Sequence, residues 1–221
     1  MKLTLEQVKN NPYVKEYIKQ TEIALRALGF TEHGQRHSDL VSKRAYFLAQ
    51  KIGLPKEQRE LAAIAGYLHD FGNFLGRNQH HYWGALLASQ IFGNKLDPKN
   101  LSILIQAIAN HDKYEMKFTS KVSAILVLAD KSDVHFTRVV EPNGDQIKAD
   151  IHDRVNFATK ENKIEVDKKE KKIKLELKIE TDICPVMEYF EIFTERMAYC
   201  REAANYLGYS FNLVINNFNL L

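Results

Sequence analysis

The stretch Leu61-Ala-Ala-Ile-Ala-Gly-Tyr-Leu68 runs without interruption into His69-Asp70-Phe71-Gly72. Leu61, Ile64, Ala65 and Leu68 recur at helical spacing, and no charge falls among them, so the stretch reads as a buried helix. A carboxylate at the end of such a helix is carried into an apolar interior, where it is costly unless it is paired or bound to a cation. Neighbouring residues on a regular helix face different directions. His69 and Asp70 can therefore aim at one point only where the backbone leaves helical geometry, and Phe71-Gly72 supplies that break. The run Val122-Ser-Ala-Ile-Leu-Val-Leu-Ala129 repeats the logic and delivers Asp130. The chain thus places two acidic groups at the ends of two buried helices.

Outward from this pair, residues 1–139 read as helices almost throughout. Leu5 to Leu28 is a helical region interrupted near Asn11-Pro12. Leu40, Val41, Arg44, Ala45 and Leu48 follow, stopped by Gly53-Leu54-Pro55. Trp83, Leu86, Leu87, Gln90 and Ile91 mark a helix ended by Gly93-Asn94, and Leu101, Leu104, Ile105 and Ile108 mark another. The pattern changes after the turn cluster Pro142-Asn143-Gly144. Val155 and Phe157, Ile164 and Val166, and Ile173 to Ile179 alternate with polar residues, which predicts strands, with Glu161-Asn162 and Lys168 to Lys172 as turns. Helical period returns from Val186 to Leu207, and a last strand is expected over Ser210–Ile215. The predicted architecture is an α-helical bundle over residues 1–139, then a small α+β unit over 140–221 with an antiparallel sheet in the order β-β-β-α-β.

Composition excludes several classes. Hydrophobic residues make up 45% and charged residues 27% of the 221, which is globular usage, not disordered or fibrous. A net charge of +3 leaves no electrostatic footprint for nucleic acid or an anionic membrane. The two cysteines, Cys184 and Cys200, lack metal-site spacing and are expected to be reduced core residues. No apolar run approaches the ~20 residues of a membrane span, and the N-terminal residues lack a signal-peptide core, so a cytoplasmic protein is expected.

The eight histidines, at 33, 37, 69, 80, 81, 111, 135 and 152, carry the functional signal. Imidazoles gathered around two interior carboxylates, with no thiolate, suit iron or manganese, and less specifically zinc or magnesium. His33 is read as a bystander before a turn, and His135 and His152 as surface residues. Asp39, Asp112 and Asp133 are available to orient ligand imidazoles. Arg77, Lys113, Lys131 and Arg138 are available to meet phosphate charge.

The order of these residues resembles the HD-domain metal-dependent phosphohydrolase superfamily. Arg36-His37-Ser38-x-x-Val41 resembles its opening motif, and Ala65-Gly66-Tyr67-Leu68-His69-Asp70-Phe71-Gly72 its central one. His80-x-x-x-Gly84-Ala85 and Ala107-Ile108-x-x-His111 resemble the added motifs of the six-ligand subset, and Ala129-Asp130-Lys131 the closing one. The resemblance spans roughly residues 25–138 and is nearest to the bacterial enzymes that split symmetrical dinucleoside tetraphosphates. It implies that His37, His69, Asp70 and Asp130 hold a first ion. Asp70 bridges to a second, completed by His111 and by His80, with His81 as the rival. It implies hydrolysis of a nucleotide or small phosphate ester by hydroxide activated at that dinuclear site, with Asp70 and His69 central to catalysis. Two other readings stay open: a di-iron oxygenase of the same superfamily, and a non-catalytic nucleotide sensor. Many relatives carry a lysine where this chain has Asn73, which leaves Arg77 to supply the missing charge. The tail has two open roles, control of substrate access and pairing into a homodimer.

Overall fold

The computed structural model describes residues 3–112, 117–140, 147 and 149–220. Lys113 and the turn cluster at 142–144 lie outside them. Contacts divide the chain into two compact units, Met1–Asp130 and Lys131–Leu221.

The first unit is helical. Helices α1 (Leu5–Lys9) and α2 (Pro12–Ala27) are separated at Asn11, whose side chain accepts from the backbone N–H groups of Tyr13 and Val14, with Pro12 at the first helical position. Helix α3 (Gln35–Lys51) packs against α4 (Lys56–Leu68) at very close range. A Cβ on Gly66 would lie 3.0 Å from the backbone of Val41 and Ser42, so glycine sets the spacing of this pair. Every residue of α4 from Leu61 to Leu68 is buried, as is every residue of α7 (Lys121–Lys131) from Val122 to Asp130. The two helices that decide the fold from sequence are therefore its core. Helices α5 (His80–Phe92) and α6 (Pro98–Asn110) pack on each other beside α4. In α5 the buried face differs from the one expected: His80, Gly84, Ala85, Ala88 and Phe92 are buried, while Trp83 and Leu86 are exposed. Gly84, Ala85 and Ala88 allow close approach along this face, and Phe92 fills its far end.

The second unit is a four-stranded sheet, β1 (Thr159–Asp167), β2 (Lys172–Ile179), β3 (Ser210–Ile215) and β4 (Phe218–Asn219), in that spatial order, with helices α8 (Ile151–Ala158) and α9 (Val186–Tyr206). Three expectations are corrected here. The segment around Val155 and Phe157 is helix α8, because Asp150 caps it by accepting from the N–H groups of His152 and Asp153. Glu161-Asn162 lies within β1, where a bulge between Thr159 and Glu161 absorbs the irregularity. The sheet is mixed: β1 pairs antiparallel with β2 and β4 antiparallel with β3, but β2 and β3 are parallel, because the intervening α9 serves as their crossover. The break between units falls after Asp130, earlier than residue 139. Asn162 explains this, since its amide donates to the carbonyls of Ser132 (2.5 Å) and Val134 (2.8 Å) and ties the segment to β1. Cys184 and Cys200 are both buried thiols that form no disulfide.

Candidate metal centre

Six side chains of the first unit converge on one buried spot. His37 comes from the first turn of α3, His69 from the C-cap of α4 and Asp70 from the turn beyond it. His80 opens α5, His111 caps α6 and Asp130 stands one residue before the end of α7. All six are buried.

The contacts fall into two groups. On one side, His37 Nε2 lies 3.2 Å from His69 Nε2, 3.3 Å from Asp130 Oδ1 and 3.7 Å from Asp70 Oδ2. His69 Nε2 lies 3.4 Å from Asp70 Oδ2 and 3.5 Å from Asp130 Oδ1. On the other side, His80 Nε2 lies 3.1 Å from both His111 Nε2 and Asp70 Oδ1, and His111 Nε2 lies 3.5 Å from the same oxygen. The two oxygens of Asp70 thus face different imidazole pairs. Ligand atoms ~2.1 Å from a tetrahedral ion are separated by ~3.4 Å, and octahedral neighbours by ~3.0 Å. The observed spacings, 3.1 to 3.7 Å, lie close to those values.

The protonation pattern makes the same case. His69 Nδ1 lies 2.8 Å from the Gly66 carbonyl, His80 Nδ1 2.9 Å from that of Arg77, and His111 Nδ1 2.7 Å from that of Ile108. A carbonyl only accepts, so each Nδ1 donates, and a ring that carries no second proton turns the lone pair of Nε2 towards the cluster. In the second group three acceptors, two ring nitrogens and Asp70 Oδ1, therefore converge within 3.5 Å. Only a cation or added protons reconcile them. Burial opposes a charge on His69, but Asp70 and Asp130 overcome it and push its pKa up to about 10. Burial also opposes charge on Asp70, and the surrounding imidazoles, His69 foremost, hold it well below the usual carboxylate range. Burial and the neighbouring imidazoles lower the pKa of His111, against a hydrogen bond with Asp70. Asp70 and Asp130 thus draw a proton onto His69, towards the space a cation would fill, while burial keeps one off His111. The residues fit divalent ions, and the three sets whose ligand atoms lie within 4.8 Å of one another are His37-His69-Asp70, His69-His111-Asp130 and Asp70-His80-His111.

Backbone geometry delivers His80. Gln79 adopts a left-handed conformation (φ 62°) immediately before α5, and Gly72 lies against the first turn of that helix. His81 is half-buried, with its ring against Tyr82 at 4.3 Å, and belongs to none of the three ligand sets. His33 accompanies the turn before α3, its Nδ1 2.5 Å from the Thr31 carbonyl.

Other site residues distribute unevenly. Arg77 stands at the edge of the cluster, with Nη1 4.0 Å from Asp70 Oδ1 and Nη2 4.0 Å from Asp112 Oδ2. Lys131 ends α7 beside Asp130. Arg138 is buried in the second unit and donates to the Asp133 carbonyl at 2.9 Å. The carboxylates expected to orient the imidazoles are mostly engaged elsewhere: Asp39 pairs with Lys9, and Asp133 lies 3.8 Å from Arg138. Backbone carbonyls at the helix ends do that work for three of the four imidazoles, which sequence spacing does not reveal. Two further contributions carry no sequence signal of their own. Glu32 caps the start of α3 by accepting from the N–H groups of Gly34 (2.7 Å) and His37 (3.4 Å), and Phe30 lies under the Arg77 guanidinium, 5.8 Å from its ring centre.

Residues 34–134 match the family model of the HD domain, a segment that contains all six converging side chains and amounts to a little under half of the 221-residue chain. Over that segment the helical first unit is similar to the HD domain. The chain is also 26% identical over 156 residues to an uncharacterized protein of Methanocaldococcus jannaschii, covering 60% of each chain. It therefore spans about 60% of the length of that relative. Among the described residues, no helix is long and apolar enough to cross a membrane.

Proposed function

We propose that the cluster holds two divalent ions bridged by Asp70, and that the protein is a metal-dependent phosphohydrolase acting on a nucleotide or another small phosphate ester. The observation that carries this reading is the division of the Asp70 carboxylate, with Oδ2 towards His37 and His69 and Oδ1 towards His80 and His111. A carboxylate has two oxygens to share, where an imidazole facing inward offers one nitrogen. His37, His69, Asp70, His80, His111 and Asp130 would hold such ions, whose chemistry would be to clamp a phosphoryl group and to lower the pKa of a bound water from 15.7 towards ~7. The chain's own part is positional. His37, His69, Asp70 and Asp130 form one set of donors, and Asp70, His80 and His111 the other, with ring orientation fixed by helix-end carbonyls at His69, His80 and His111. No serine or cysteine nucleophile is required. Iron or manganese suits the nitrogen and carboxylate donor set best, with zinc and magnesium as weaker fits.

The test is metal analysis of the purified chain, followed by a panel of nucleoside phosphates, symmetrical dinucleoside tetraphosphates and simple phosphate monoesters, with manganese and without oxygen. Phosphate release under those conditions supports hydrolysis. Iron-dependent oxygen uptake with no phosphate release would replace the proposal with the di-iron oxygenase reading, and nucleotide binding without turnover would replace it with the sensor reading.

A further inference from the structure

Arg77 belongs to an arm built on Asn73. Asn73 is 1% exposed and occupies the short helical turn Asn73–Leu75 just after the His69-Asp70 pair. Its amide nitrogen donates to Asp70 Oδ1 at 3.0 Å and to the Asp70 carbonyl at 2.8 Å. Its amide oxygen accepts from Arg77 Nη1 at 3.0 Å. One buried side chain therefore ties the carboxylate at the middle of the centre to a guanidinium at its edge. The Phe30 ring supports that guanidinium from one side. Asp70 Oδ1 and Asp112 Oδ2, each 4.0 Å away, attract it from beyond hydrogen-bond reach.

The arrangement leaves donors open. A guanidinium carries five N–H groups in a planar fork. Among the described residues, Asn73 takes one of them, and the Arg77 side chain is 28% exposed. A neutral amide holds the arginine in place without cancelling its charge, as a directly paired carboxylate would. A planar fork of this kind matches the edge of an oxyanion with two free oxygens.

Building on the phosphohydrolase reading, we infer that Arg77 is the residue that grips the substrate's phosphoryl group, that Asn73 is its positioning residue, and that the preferred substrate presents a terminal phosphoryl group, a monoester or the end of a polyphosphate. A diester has two unesterified oxygens. An oxyanion shared between the ligand cluster and a forked guanidinium needs a third, and a terminal phosphoryl group has it. Asn73 thereby turns a position without charge into one that aims a charge from one helical turn away.

The test uses the full chain loaded with manganese, with calorimetric titration of inorganic phosphate and of dimethyl phosphate, and bound manganese measured in each variant. The wild type is expected to favour phosphate over dimethyl phosphate by about tenfold or more, the scale of a hydrogen bond between charged groups. Arg77→Met should weaken phosphate about tenfold and erase most of the preference while manganese content stays unchanged, and Arg77→Lys should recover part of the loss. Asn73→Ala should weaken phosphate less, and adding it to Arg77→Met should weaken phosphate no further, as expected when one residue acts through the other. Unchanged phosphate affinity in Arg77→Met, or additive losses in the double variant, overturns the inference. Wild-type protein that holds manganese but binds no phosphate overturns the phosphohydrolase reading itself, and the inference falls with it.

Discussion

Gly72 and Gly84 meet backbone to backbone: a Cβ added at Gly72 would lie 2.4 Å from Gly84 N and 2.6 Å from the His80 carbonyl oxygen. No side-chain movement relieves a clash with backbone, so Gly72→Ala must push the first turns of α5 away from the 69–72 turn. His80 rides on that turn, with Nε2 3.1 Å from Asp70 Oδ1. The variant is expected to lose about 1–3 kcal/mol of stability, the range for overpacking, and to bind its second ion at least about tenfold more weakly if His80 moves by an ångström. Gly84→Ala meets Ile108 Cγ2 at 3.2 Å and the His69 carbonyl at 3.3 Å, and should be milder on both counts. Thermal melts and metal titration of the two variants check this ranking, and equal effects would sink it.

Ion stoichiometry should follow the two ligand groups. Wild-type chain is expected to hold two ions. Asp130→Asn and His37→Ala weaken the group that also contains His69, and each should leave one ion. His111→Ala and His80→Ala weaken the other group, with the same count. Asp70→Ala removes the oxygens shared by both and should leave almost none. His81→Ala should keep two, because His81 enters none of the ligand sets. Elemental analysis after removal of free metal, with circular dichroism to confirm helical content, measures each case. One ion in the wild type, or loss of an ion in His81→Ala, contradicts this assignment.

The proton held by His69 gives the metal-free chain a distinctive pH dependence. Its pKa is pushed up to about 10, because the attraction of Asp70 and Asp130 outweighs the penalty of burial. In the unfolded chain it returns towards about 6.5. A raised folded value means that the stabilisation is fully present below about pH 6.5 and is lost as pH rises towards 10. Between those limits the slope approaches about 1.4 kcal/mol per pH unit for one proton. Asp70, held low, stays ionised across this window and adds no slope of its own. Urea unfolding of metal-free protein at pH 7, 8 and 9 should show falling stability. Metal-loaded protein, with ions in place of the proton, should lack this slope, as should metal-free His69→Gln. A flat profile in the metal-free wild type refutes the charge assignment.

The legible and illegible parts of the molecule divide on physical lines. The helices that carry Asp70 and Asp130 are readable because an uncharged run must be buried, and an acid at its end must then meet a counter-charge inside the protein. The preference for His80 over His81 rests on the resemblance, in which a histidine stands four residues before a glycine, and the structure buries His80 while leaving His81 half-buried. The strand expected around Val155 fails because one capping residue, Asp150, outweighs a short alternation that a helix also satisfies. The parallel pairing of β2 and β3 is hidden because alternation reports which face of a strand is buried, not the direction of its neighbour. The orienting partners of the imidazoles are hidden for a different reason: they are main-chain carbonyls, which carry no residue identity.

The C-terminal unit offers a test that is independent of the metal centre. Cys184 is buried, its Sγ lies 3.4 Å from Glu188 Oε2, and that carboxylate is held by Arg154 Nε at 2.6 Å. Burial foremost, and then the Glu188 carboxylate, push the thiol pKa up to about 12. Only the thiolate reacts with disulfide reagents, and a free cysteine is ionised to roughly a quarter at pH 8. For Cys184 the same balance leaves on the order of one part in ten thousand as thiolate at that pH. Native protein should therefore label at this position at least about a thousand times more slowly than protein unfolded in guanidinium. Glu188→Gln removes the repelling charge and should speed native labelling several-fold without abolishing the protection that burial provides. Labelling of Cys184, followed by peptide mass spectrometry, reads both effects, and native labelling as fast as in the unfolded chain would show that the thiol is neither buried nor held protonated.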